Sequence, residues 1–319
     1  MRIIIGVIVA IWLTGCINDA PHDNPLDPIN GLEIQGKVER LYTADPIPGA
    51  KVTLLSNNVV SISNQEGNFR LKGDFSPGNY SVTCEIEGFR AETLSVSLPQ
   101  ETPLTFKLDA LPVFTNMKLT THHIARFFPP DDLFFIQLEV TVNDSDGLGD
   151  IQQVTYYIPS LNFSDTLTQV SPPQPIFAGE LEPHHAGLLT LHEFIGHPFF
   201  FTFSDIPGAI SRSQGQYLTR IIEEIPTGVS PTGGETVSPP FTIEWQPDIL
   251  PYSFTYAIGI YQQFFNFSVL IEEVTEIPSD STSITYSTPL APGNYYWVVY
   301  IEDEFGNRSR SRENPFTIP

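Results

Sequence analysis

Short runs in which apolar and polar residues alternate make up most of this chain. In "NYSVTCEI", Tyr80, Val82, Cys84 and Ile86 fall on one side and polar residues fall between them. A period of two is the signature of a strand with one buried face. Such runs recur at 32–40, 50–55, 59–63, 67–72, 79–87, 93–98 and 103–109, separated by the turn words "DPIPG", "QEG", "SPGN" and "LPQET". Seven strands with turns at this spacing predict a small antiparallel sandwich over 31–112. Val52 and Leu54 are expected to face inward after the Pro48-Gly49 turn, and Phe69 and Leu71 after Gly67, which supplies a positive φ. Cys84 is expected as a small buried side chain, with a reactive thiol as the minor reading.

The pattern continues with different words. "LFFIQLEVTVND", "IQQVTYYI", "FFFTFSD" and "GQYLTRIIE" read as strands of a second sandwich over 113–225. Residues 226–236, "PTGVSPTGGET", have the composition of a linker. A third set, "FTIEW", "FTYAIGIYQ", "FSVLIEE", "TSITYS" and the long run opened by Pro292-Gly293, occupies 237–319. No long stretch has an apolar stripe at helical spacing, and the chain has 29 prolines. The expected class is all-β, tandem antiparallel sandwiches. The endings "SDIPGAISRS" and "EDEFGNRSRS" form a short internal repeat between the second and third.

Before the first strand the pattern breaks. "MRIIIGVIVAIWLTGC" has one cation, Arg2, then an apolar run short for a bilayer, ending at Leu13-Thr14-Gly15-Cys16. Those four residues resemble a bacterial lipobox. The resemblance implies a signal peptide over 1–15, cleavage before Cys16, and acyl chains (diacylglycerol and palmitate) on that residue. Ile17, in place of an aspartate, favours the outer membrane by the same resemblance, if the host has one. Residues 16–30 then read as the lipidated cysteine and a polar, proline-rich tether. With Cys16 assigned, Cys84 has no disulfide partner. A formal charge of −22 argues against nucleic acid, since no basic patch exists to displace counterions from phosphates.

The words "IQGKV", "PIPGAKVTL", "SNQEGNFRL", "SPGNYSVTCEIEGF" and "LTFKLD", in that order, resemble the carboxypeptidase regulatory-like domain, a transthyretin-like sandwich shared with carbohydrate-binding-like folds. No peptidase pattern follows, so the resemblance implies a structural or binding module. The middle region reads as immunoglobulin-like. The last region, with Trp245 on an early strand and "PGNYYW" opening a late one, resembles a fibronectin type III domain.

Candidate chemistry is sparse. "HEFIGH", His192 to His197, departs from the zinc-protease motif by one residue. On a helix His197 would lie about 140° around from His192, and Gly196 and Pro198 oppose a helix. The expectation is a strand or turn with the two histidines pointing apart. "NDSDGLGD" puts Asp144, Asp146 and Asp150 in one glycine-containing turn, a candidate calcium loop, with a plain acidic hairpin as the alternative. His122, His123, His184, His185, His192 and His197 could assemble a transition-metal site only across strands. Aromatic residues exceed what a core needs, as in "YSFTYAIGIYQQFFNF"; some are expected to stack on sugars or to pack between modules. The chain shows no nucleophile elbow or phosphate-binding glycine loop.

The expected protein is therefore a non-catalytic lipoprotein of the bacterial envelope, anchored by lipid and presenting β-sandwiches for binding or scaffolding. The alternatives are a carbohydrate-binding lipoprotein using exposed aromatics, an accessory subunit docking on another envelope protein, and a hydrolase with a site in the middle domain, which a buried His–Asp or His–Glu set would favour.

Overall fold

The computed structural model describes residues 32–319 apart from 57, 128 and 146. Cys16 and the lipobox lie outside the described residues. The chain is all-β and divides into two compact units, one up to Ala110 and one over Leu111–Pro319.

The first unit has seven strands: β1 (Glu33–Arg40), β2 (Lys51–Leu54), β3 (Val59–Ile62), β4 (Asn68–Lys72), β5 (Gly78–Glu85), β6 (Glu92–Leu98) and β7 (Leu104–Leu108). They form a sandwich of two sheets, β4-β1-β7 and β3-β2-β5-β6. Alternation decides what fills it. Ile34, Val38, Phe69, Leu71, Phe106 and Leu108 from one sheet meet Val52, Leu54, Val82, Cys84, Val96 and Leu98 from the other. Gly67 does take a positive φ, +77°, before β4. One pair departs from the antiparallel expectation. β1 and β7 run parallel, Val38 opposite Phe106, so the first and last strands of the unit lie side by side.

The second unit begins with β8 (Val113–Ile124), β9 (Leu133–Asn143), β10 (Ile151–Ile158), β11 (Phe163–Gln169), β12 (Ile176–Leu181), β13 (Phe200–Asp205) and β14 (Ile210–Arg212). Strands β8-β9-β12 and β14-β13-β10-β11 enclose a core that includes Leu138, Val140, Tyr156, Ile158, Phe201 and Phe203. The two layers join where β11 meets β12 over two residue pairs.

The unit continues with β15 (Gly228–Ser230), β16 (Glu235–Thr236), β17 (Phe241–Trp245), β18 (Phe254–Gln263), β19 (Ser268–Pro278), β20 (Ser283–Tyr286), β21 (Gly293–Asp303), β22 (Arg308–Arg310) and β23 (Asn314–Ile318). Sheet β15-β17-β20 faces a sheet built on β21, β18 and β19. Between them Trp297 is fully buried, its Nε1–H donating to the Pro231 carbonyl at 2.6 Å, and Trp245 meets Tyr256 edge-on at 5.4 Å.

Three features depart from the sequence reading. β22 pairs in parallel with β8, so both sandwiches of this unit share one 13-stranded sheet. Residues 226–236, expected as a linker, contain β15 and β16. β15 is edged onto β17, and β16 runs parallel to β23. "GQYLTRIIE", expected as a strand, is irregular apart from a bridge between Gln216 and Phe199. Its apolar residues go to two different cores: Leu218 is buried in the first, Ile222 in the second. A segment serving both cannot lie flat in either sheet.

Cys84 is fully buried on β5, and burial, with Glu92 and Glu85 nearby, pushes its thiol up to about 12. Thiolate is the reactive form. Iodoacetamide at pH 8 should therefore leave Cys84 unmodified in the native chain and alkylate it at least a hundredfold faster in 6 M guanidinium, read by peptide mass spectrometry.

Candidate functional site

A densely bonded polar cluster lies where β22 meets β8. Arg308, Ser309 and Arg310 face His122, His123 and Ile124. Just before β22, Asn307 is completely buried. Its Oδ1 accepts from the Thr121 N–H at 2.9 Å. Its Nδ2 donates to Thr219 Oγ1 and to Asp303 Oδ2, both at 3.0 Å. Asp303 Oδ1 accepts the backbone N–H groups of Phe305 and Asn307, each at 2.9 Å, while Oδ2 takes Arg220 Nη1 at 2.7 Å. Arg220 also reaches Glu304 and lies 4.0 Å over the Tyr252 ring. Its own carbonyl accepts from Thr121 Oγ1 at 2.8 Å. Ser309 Oγ donates to the Glu224 carbonyl. The irregular 215–224 segment is thus tied by its backbone to both strands of the junction, which satisfies groups that would otherwise be buried unpaired.

The same turn is built twice. Asp303 N–H donates to Asn307 O, Gly306 N–H to Asp303 O, and Asn307 N–H to the Asp303 carboxylate. Asp205, Gly208 and Ala209 repeat these three bonds. Beyond each turn, Ser213 and Ser311 make matching bonds to Phe201 and Val299. The "SDIPGAISRS"/"EDEFGNRSRS" repeat is therefore a repeat of hydrogen bonds. Alanine at 209 cannot reach a neighbouring strand as Asn307 does.

The other candidates disperse. Leu191–Phe194 is one 3-10 turn, capped by Thr190 with Glu193 reaching back to the Thr190 and Leu189 N–H groups. That corrects the strand version of the "HEFIGH" reading. A capping box closes the turn, and Gly196, at φ +82°, turns the chain before β13. The two histidines diverge as expected: His192 pairs with Glu223 at 3.2 Å and His197 Nδ1 meets Ser160 Oγ. His184 and His185 share another 3-10 turn, rings 4.1 Å apart. Among the described residues no three metal-capable side chains converge. In the acidic loop Asp144 is buried and Leu148–Asp150 is a 3-10 turn; Asp146 lies outside the described residues.

A His–Asp pair with a buried histidine does exist. His123 Nε2 lies 3.2 Å from Asp132, and its ring stacks on Phe134 at 4.1 Å. Its Nδ1 is buried and meets no hydroxyl or thiol among the described residues. The pair links β8 to the residue just before β9. Nearby, Phe127, Ile225 to Gly228, Thr232, Gly233 and Ser311 to Pro315 line a groove of about 470 Å³. In it Arg312 sits 5.8 Å from the exposed Phe127 ring, and Glu313 accepts the Phe127 N–H.

Comparison with known proteins bears on the first unit. Residues 33–109 match the Carboxypeptidase regulatory-like domain. That span is the first sandwich, β1 to β7. No curated protein matches the chain. Among solved structures, a DUF3823 family protein from Bacteroides ovatus has 10% identity and a TM-score of 0.26, covering 59% of this chain and 98% of that one. The fibronectin(III)-like modules of Clostridium thermocellum CbhA have 11% identity and a TM-score of 0.29, covering 65% and 93%. Chicken CNTN1 FN1-FN3 domains have 10% identity and a TM-score of 0.31, covering 90% and 98%.

Sequence reading singled out the histidines of this unit but missed Arg220, Asp303 and Asn307. One signal was available: from 221 to 307 the chain has no lysine or arginine, so Arg220 and Arg308 bracket a wholly acidic stretch.

Two outcomes follow from the junction. Asp303→Ala leaves Arg220 and Asn307 without their shared acceptor and should cost about 3 kcal/mol in urea unfolding, with Asp303→Asn costing less. His122, stacked on Phe135 at 4.7 Å, is pushed down to about 4 from 6.5 by burial, then by Arg308 and Lys118. The unfolded chain therefore takes up this proton first. The neutral imidazole's contribution is complete above pH 6.5 and is lost as pH falls toward 4, by up to about 1.4 kcal/mol per pH unit. His122→Gln should flatten the stability–pH slope across that window, measured by urea titrations at pH 4.5, 5.5 and 7.5.

Proposed function

We propose that this chain is a non-catalytic, lipid-anchored envelope protein whose sandwiches present a binding or scaffolding surface. The observation that carries this reading is the use to which reactive groups are put. Asp303, Asn307, Arg220 and the His123–Asp132 pair are spent on holding strands and loops in place. A scaffold needs fixed relative positions of its surfaces, and a shared sheet with a satisfied polar junction supplies them within Leu111–Pro319. The match of 33–109 to a regulatory-like domain supports a supporting role, as does the lipobox resemblance at Leu13 to Cys16 for the membrane.

A second reading has one observation in its favour. The groove beside Phe127 offers an exposed ring flanked by Arg312 and Glu313, a set that suits a sugar face and its hydroxyls. Calcium at Asp144, Asp146 and Asp150 belongs to this reading only if glycan retention needs it.

The test of the main reading is lipidation in cells. Expressed in a diderm host, the chain should incorporate labelled palmitate and fractionate with membranes, and Cys16→Ser should lose the label completely and shift to the soluble fraction. An unlabelled wild-type chain would overturn the anchor. Retention on polysaccharide columns, abolished by Phe127→Ala, would favour the glycan reading.

A further inference from the structure

We propose that β19 is a docking edge that takes up an extended, basic and apolar segment of a partner protein as an additional strand. The inference rests on the binding-module reading above and names the surface and the partner's chemistry.

The edge is open. β19 ends the path of the shared sheet and, among the described residues, pairs only with β18. An unpaired strand edge presents a row of N–H and C=O groups to any extended chain that can reach it. The opposite end of the sheet, β14, spans three residues, whereas β19 spans eleven. The other edges of this unit, β15, β16 and β20, are short, at three, two and four residues, while β22 takes β8 and β23 takes β16, both in parallel. Strand addition is how this chain already joins its own parts.

The edge is apolar over its first half, 269–271, while Glu272, Glu273 and Glu276 charge its second half and two bulges interrupt its pairing with β18. Val269, Leu270 and Ile271 are 44%, 45% and 43% exposed, and the hairpin before them carries Phe264 and Phe267, stacked at 4.9 Å, with Phe265 wholly in solvent. This is a run of apolar residues on both faces of one edge. It adjoins the outer-face pair Tyr261 and Tyr296, stacked at 4.9 Å.

Charge selects the occupant. From 221 to 307 the chain carries twelve carboxylates and no lysine or arginine. Glu272 and Glu273 are held by the Tyr286 hydroxyl and Arg308, while Glu276 and Asp280 are exposed at the far end of the strand and the turn after it. A second copy would bring the same acidic edge against itself, and an anionic membrane would be repelled by the whole module. A strand that alternates apolar side chains with lysine or arginine meets both the apolar run and the field.

The experiment uses the full chain in detergent and three fluorescein-labelled ten-residue peptides. One alternates valine or threonine with lysine, one has glutamate for each lysine, and one is the lysine peptide with two central prolines. The lysine peptide should bind in fluorescence anisotropy and slow amide exchange within 268–276 while leaving 210–212 unchanged. Leu270→Lys should weaken it at least tenfold, and Phe265→Ser, at the tip, less than threefold. Both positions are exposed, so both variants should keep the parent melting temperature. The glutamate and proline peptides should bind at least tenfold more weakly. Absence of protection at 268–276 with the lysine peptide overturns the proposal, as does equal binding of the glutamate peptide. Protection that appears on raising protein concentration alone assigns the edge to a second copy and also overturns it. Protection by phosphatidylcholine vesicles alone assigns the edge to lipid and likewise overturns the proposal. Palmitate labelling of Cys16 is independent of all these outcomes, so failure here leaves the anchor reading standing.

Discussion

The architecture of Leu111–Pro319 depends on three residue pairs of parallel β-structure between β8 and β22. Three ladder pairs between two sandwiches would be weak by themselves, since each backbone hydrogen bond contributes about 1 kcal/mol net. Side chains reinforce the ladder at its entry. Asn307 bonds the Thr121 backbone, Asp303 orients Asn307, and Arg220 neutralises Asp303. Asn307 and the Asp303 carboxylate are buried, where an unpaired polar atom costs most, and Arg220 at the edge of the cluster is shared with Glu304. Within Leu111–Pro319 the two apolar cores thus meet at a polar junction.

That junction also explains the irregular 215–224 segment. Ladder pairing would have fixed its side chains to one sheet. Leaving the sheet lets Leu218 enter one core and Ile222 the other, and turns the Arg220 and Glu224 carbonyls toward Thr121 and Ser309. The repeated aspartate–glycine turn shows how little separates a covered edge from an open one. Asp205 and Asp303 build the same loop, and the residue four places on differs: Ala209 leads into β14, which pairs only with β13 among the described residues, while Asn307 reaches across to another strand.

Much of the fold was legible because local pattern and burial agree. The seven strands of the first unit fall within one or two residues of the alternating runs, and Val52, Leu54, Phe69, Leu71 and Cys84 are inside. The diverging histidines of "HEFIGH" were legible from spacing alone. Their surroundings were not, because a capping box and a 3-10 turn at 190–194 share the apolar composition of a strand. The candidate polar site was barely legible. Thr121, Arg220, Asp303 and Asn307 lie up to 186 positions apart, and no spacing rule links such residues.

The sequence by itself determined the all-β class, the turns, the facing of most core residues and the acidity that limits the choice of partners. These are properties of neighbours along the chain, where the period of two and the φ demands of glycine and proline act directly. Only the tertiary structure decided that 226–236 is edged into two sheets, that two sandwiches share a single sheet, and which edges stay open. Strand pairing is made by backbone groups that every residue carries, so the choice of partner depends on what else is packed nearby, and on a few buried polar contacts that exist only once the chain has folded.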